Sequence, residues 1–185
     1  MDLQLRLACF EGNIDYIKER IESRKKHYAQ YEDKYINPVF FCACRGHLDC
    51  VKYLIKIIPT SKSTVISSIK MAAIENHLEI VEFFFQYVKE YDKTDFHLIS
   101  ALKGCIEKKQ RNIINYLLEK DIFDEDEEES TNAFTLCAKL GDLETMLALS
   151  KKYQDFTKFI PISIELAIKN NHQEITCFLM NIKRN

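Results

Sequence analysis

A chain of 185 residues has room for one domain or two small ones. A net charge of −2, with 29% charged and 46% hydrophobic content, gives no basic bias toward nucleic acid and no acidic excess. No apolar run reaches the ~18 residues of a membrane span, and the opening, with Asp2 and Arg6 among Leu3, Leu5 and Leu7, lacks the pattern of a signal peptide. Seven cysteines, an odd number, sit in apolar helical patterns. They read as reduced thiols of a cytosolic-type compartment, not as a disulfide framework. Four glycines and three prolines leave little material for hairpins, so helices are expected throughout.

Taken in chain order, one segment returns six times. It occupies residues 8–17, 42–51 and 72–81, then in weaker form 105–114, 137–146 and 167–176. Its turn residues are Gly12, Gly46, Asn76, Lys109, Gly141 and Asn171, spaced by 34, 30, 33, 32 and 30 residues. A period in this range signals a stacked repeat array. Each repeat reads as an inner helix before the turn and an outer helix after it. In the second repeat Asn37-Pro38 supplies a cap and a first-turn proline, Gly46 the stop, and Pro59 the end of the outer helix. Outer-helix apolar residues recur at helical spacing, as in Leu48, Val51 and Leu54, then Leu78, Val81 and Phe84. Four positions before each turn stands a small residue: Ala8, Cys42, Ala72, Cys105, Cys137 or Ala167. Such side chains let neighbouring helices approach closely. The expected architecture is an all-α solenoid forming a single domain over residues 1–185. Its repeats fall near 3–35, 36–64, 65–95, 96–129, 130–160 and 161–185.

This arrangement resembles the ankyrin repeat family from about residue 3 to 182. The second repeat carries the resemblance best, through Pro38, Ala43, Gly46, His47, Val51 and Leu54. Pro38 falls where the family's Thr-Pro-Leu-His signature places proline, and Cys42 takes the first alanine slot. The full signature is absent from every repeat, and the segments between repeats lack the Asp and Gly of the family's β-hairpin fingers. Irregular connections are therefore expected.

Several constellations imitate chemistry. Cys42, Cys44, His47 and Cys50 have the composition of a zinc cluster, but Cys42 and Cys44 point about 200° apart on one helix, and a tetrahedral site needs convergent ligands. His47 shares a repeat slot with His77 and His172. No phosphate loop, dinucleotide fingerprint or nucleophile elbow occurs. No catalytic residue, metal ligand or cofactor is assigned. An enzymatic alternative rests on His27, Tyr28, Asp95 and His97 in the inter-repeat segments.

In the family resembled, inner-helix residues just before the turn face a concave groove. Here that implies partner-binding positions at Phe10, Glu11, Phe41, Cys44, Arg45, Met71, Ile74 and Glu75, an apolar strip with charged edges. The corresponding residues of the later repeats, Glu107, Lys139 and Lys169, are charged. The acidic run Asp124, Glu125, Asp126, Glu127, Glu128 and Glu129 lies between repeats, where a solvated loop or a dock for a basic partner is expected. The function implied is a monomeric, non-enzymatic adaptor or inhibitor that binds a protein, with no nucleic acid or membrane partner. The resemblance extends to small, divergent chains of intracellular bacteria and large DNA viruses, which makes a host-directed effector in the host cytosol a narrower expectation.

Overall fold

The structure is a computed structural model that describes residues 3–23, 37–88, 99–120, 127–152 and 156–184. Among these residues it has twelve α-helices, one short 3₁₀ turn and no strand. The chain divides into two compact units, Met1–Tyr91 and Asp92–Asn185.

The first unit holds α1 (Leu3–Glu11), α2 (Ile14–Ser23), α3 (Pro38–Cys44), α4 (Leu48–Leu54), α5 (Lys62–Ile74) and α6 (Leu78–Tyr87). The inner helices α1, α3 and α5 pack side by side, with α2, α4 and α6 behind them. The second unit repeats the plan. It comprises α7 (Ile99–Glu107), α8 (Arg111–Lys120), α9 (Glu127–Leu140), α10 (Leu143–Lys152), α11 (Ile160–Lys169) and α12 (Gln173–Arg184), with the 3₁₀ turn Thr157–Phe159 before α11. Here α9 lies between α7 and α11.

The six turn residues explain why each chain segment forms a helix pair. Gly12, Gly46 and Gly141 have φ of 70°, 83° and 80°, and Asn76, Lys109 and Asn171 have φ of 68°, 57° and 61°. Every turn is left-handed, a conformation that glycine tolerates best and asparagine next. The residue after each turn donates its N–H to the carbonyl of the small-slot residue five positions back. The six bonds, from Asn13, His47, His77, Gln110, Asp142 and His172, span 2.8–3.0 Å. The carbonyls of these same residues accept the first bond of the outer helix, at 3.0–3.2 Å. One residue thus closes the inner helix in a Schellman-type turn and opens the outer one. At the entry to α3 the Asn37 side chain accepts from the Val39 N–H at 2.9 Å, with Pro38 in the first turn.

The core follows the repeat register. All six small-slot residues are buried, Ala8 at 4% exposure and the other five at 0%. The outer-helix apolar residues Ile17, Val51, Val81, Ile114 and Met146 are buried at 0%. On the outer side of the first unit, Lys18 lies over the Tyr53 ring at 5.8 Å and Lys52 over Phe83 at 6.0 Å. These are the same two slots in successive repeats, so the lysine stems shield aromatic faces along the stack.

Two boundaries differ from the sequence reading. Helix α5 begins at Lys62, because the Ser61 hydroxyl caps the Thr64 N–H at 3.2 Å. The acidic run is not wholly a loop: Glu127, Glu128 and Glu129 open α9. Asp124, Glu125 and Asp126 lie outside the described residues. So do most of the inter-repeat connections where fingers or irregular loops were at issue. The described connection from Ile55 to Ser61 is built of turns, with Thr60 Oγ1 donating to the Ile58 carbonyl at 3.0 Å.

Candidate functional site

The inner face of the first unit is built by the ends of α1, α3 and α5. Helical spacing brings residues two and five positions before each turn to one side. Phe10 is 37% exposed, Leu7 48% and Leu3 78%. Leu3, Leu7 and Phe10 stand four and three residues apart, so α1 carries an apolar stripe open to solvent. Ile74, Met71 and Cys44 are half-buried, and Glu11, Arg45 and Glu75 are exposed. Phe41 departs from the expectation of a lining residue. It is buried, at 7% exposure, because the Phe10 ring packs against it at 5.5 Å and the Arg6 guanidinium covers it at 4.7 Å. Phe41 is the floor beneath Phe10. Arg45 lies over the Phe10 ring at 5.5 Å, so a cation stands directly on the exposed aromatic.

Arg6 and Leu7 complete this patch. Neither is among the partner-binding positions expected from the sequence. The signal for Arg6 was its place one residue before the Leu7 slot, but only the fold stacks it on a ring from the next repeat. In the second unit the equivalent positions Glu107, Lys108, Lys139 and Lys169 are exposed and charged, with Leu140 half-buried.

The residues that imitated a metal site have other engagements. The His47 Nε2 is 2.9 Å from the Phe10 carbonyl, and the His172 Nε2 is 3.0 Å from the Lys139 carbonyl. Each ring also packs against the glycine turn of the preceding repeat. A Cβ added to Gly46 would stand 2.7 Å from the His77 ring, and one added to Gly141 would stand 2.7 Å from the His172 ring. Gly12 and His47 form the same pair. Where the turn is Lys109, which has a Cβ, the next slot holds Asp142 in place of histidine. The Asp142 carboxylate accepts from Arg111 at 2.9 Å and from the Thr145 N–H at 3.1 Å, while Arg111 also donates to Thr145 Oγ1 at 2.6 Å. The pairing of a glycine turn with a histidine in the next repeat was legible as a spacing of 31 to 35 residues, and the sequence reading passed over it.

Cys42 is buried, whereas Cys44 is half-buried on the other side of α3. Burial pushes the Cys44 thiol up to about 12, with Glu75 adding to the rise, and pushes Cys105 up to about 12. Cys137 is raised chiefly by burial as well. Cys177 is exposed. In native protein a maleimide should therefore label Cys177 first and Cys105 and Cys137 last. Cys44 labelling should rise roughly tenfold per pH unit across the range below its pKa, because only the thiolate reacts. Equal, rapid labelling of all the thiols would contradict the repeat register.

His27, Tyr28, Asp95 and His97, the basis of the enzymatic alternative, lie outside the described residues. Among the described residues no group of His, Cys, Asp or Glu is placed to hold a metal ion, and no helix is long and apolar enough to cross a membrane.

Residues 5–97 match the family model of ankyrin repeats in three copies, half of the 185-residue chain. The chain belongs to the ankyrin repeat family. The matched stretch covers the turns at Gly12, Gly46 and Asn76, the repeats with the fuller pattern. No curated protein matches the chain. Ankyrin repeats indicate a protein–protein interaction module.

Proposed function

We propose that this ankyrin repeat protein is a non-enzymatic adaptor or inhibitor that engages a protein partner through the inner face of its first three repeats. The observation that carries the reading is Phe10. It is an aromatic ring left 37% exposed between Leu7 and a stacked arginine, on the face where the family binds. Arginine and aromatic side chains are enriched where interfaces concentrate their energy. Ile74 and Cys44 extend the strip, with Glu11, Arg45 and Glu75 along its edge. The same proposal has the protein acting as a monomer in a reducing compartment, a setting suited to an odd number of cysteines, seven, set in apolar helical patterns. A host-directed effector is its narrower form, supported by the divergent repeats and the composition.

Affinity capture from a cell lysate, comparing the unaltered chain with a Phe10→Ala/Ile74→Ala variant, tests the reading. Burial of one such anchor contributes about 1.5–3 kcal/mol, so each substitution alone should weaken a captured partner about tenfold or more. Neutralising the residues from Asp124 to Glu129 should instead slow association and flatten its salt dependence. Normal binding by the Phe10 and Ile74 variants, with loss on neutralising the acidic run, would move the site to that run.

A further inference from the structure

The sixth repeat keeps the register of the others but leaves one face bare. The slot three positions before each turn holds Cys9, Ala43, Ala73, Ile106 and Ala138 in the first five repeats, each at most 1% exposed. In the sixth it holds Ile168, 55% exposed. The slot seven before the turn is at most 2% exposed in the first five repeats, whereas Ile164 is only half-buried. Nine positions after the turn, Ile21, Ile55 and Leu118 are buried, and Met180 is 41% exposed. The slots six and two before the turn reach toward the next repeat, as Arg6 and Phe10 do in touching Phe41. In the sixth repeat they hold Glu165 and Lys169, both exposed. Residues three and four apart share a helix face, so Ile164, Glu165, Ile168 and Lys169 form one stripe along α11. An exposed end of a repeat stack stays soluble when its outer face is polar. This one carries two isoleucines and a methionine.

We propose that this face is a self-association surface, on which α11 and α12 of two copies meet across a two-fold axis with the α11 helices antiparallel. The charges select that geometry. An antiparallel crossing centred between Glu165 and Lys169 sets Glu165 of each copy against Lys169 of the other. A parallel pairing would set like charge on like charge, which opposes association. Ile164 and Ile168 of both copies then close the centre. The patch is thus complementary to itself, as a two-fold interface must be.

A head-to-tail copy fits less well, because it would bring the first repeat onto the sixth. The slot where Tyr53 and Phe83 receive the lysines of the preceding repeat is Glu19 in the first. Each copy supplies few large apolar side chains, so pairing is reversible. The monomer of the adaptor reading is the dilute form, and the pair presents two inner faces. The inference does not rest on that reading.

The test is sedimentation equilibrium of the full chain in reducing buffer, which keeps the exposed Cys177 from linking copies. As concentration rises, the mass should climb from one copy to two and stop. Ile168→Asp should remain a single copy, with an unchanged circular dichroism spectrum, because the side chain it replaces already meets solvent. Glu165→Lys and Lys169→Glu should each weaken pairing about tenfold, since attraction becomes repulsion at two places. A mixture of those two variants should pair more tightly than either alone, because opposite charges face each other again only in the mixed pair. The Phe10→Ala/Ile74→Ala variant should pair as the unaltered chain does. A chain that stays a single copy throughout overturns the proposal. So does mass growing past two copies, the mark of head-to-tail stacking. Pairing that survives Ile168→Asp, that is lost with Phe10→Ala/Ile74→Ala, or that is no tighter in the mixture than in its components overturns it as well.

Discussion

Replacing Gly46 with alanine should lower stability by about 3 kcal/mol, and two separable effects contribute. The backbone at Gly46 has φ of 83°, where an L-residue costs about 1–2 kcal/mol. The added Cβ also stands 2.7 Å from the His77 ring. Displacing a packed ring is an overpacking cost of about 1–3 kcal/mol. Urea denaturation of the variant should show the loss, and the melting temperature should fall by roughly 6–12 °C. The double variant Gly46→Ala/His77→Ala separates the effects. Removing the ring should relieve the steric part and leave the backbone part, giving a coupling energy of about 1 kcal/mol or more. Strict additivity would mean that His77 does not press on the turn. The Asn76→Gly change should do the reverse of the backbone effect alone, a small gain of stability at a left-handed position.

Arg111→Ala should cost about 2 kcal/mol, through the group it leaves behind. Arg111 holds Asp142 at 2.9 Å and Thr145 Oγ1 at 2.6 Å, joining the fourth repeat to the fifth, and its Nε approaches Glu144 at 3.4 Å. The Asp142 side chain is only 11% exposed, against 38% for Arg111. Water reaches the arginine and screens the pair, which keeps the effect below that of a fully buried ion pair. The Thr145 N–H still binds Asp142 in the variant, which limits the loss further. Arg111→Lys should recover less than half of the stability, because an ammonium cannot span carboxylate and hydroxyl as the planar guanidinium does. Full recovery by lysine, measured by the same denaturation, would show that charge alone matters there.

The zinc-like cluster shows where sequence patterns needed the fold. The period assigns Cys42 and His47 to structural slots, and the His47 bond to the Phe10 carbonyl gives its slot physical content. Likewise, Phe41 and Met71 share one slot, yet Phe41 is buried and Met71 only half so. Slot identity sets direction from the helix axis, whereas burial depends on the neighbour, and Phe41 has Phe10 and Arg6 upon it.

The sequence by itself determined the helix pairs and their six turns. Left-handed backbone is a local property, favoured by glycine and asparagine and repeated at a fixed period. It determined the small slot too, since closely packed helices need little volume at the contact. What only the tertiary structure decided is which ends of those helices remain uncovered and which side chains from different repeats meet. The exposed stripe of Leu3, Leu7 and Phe10 and the Arg111–Asp142 clamp both depend on side-chain neighbours roughly one repeat or less apart. Such contacts are set by packing between elements, and a one-dimensional period does not encode them.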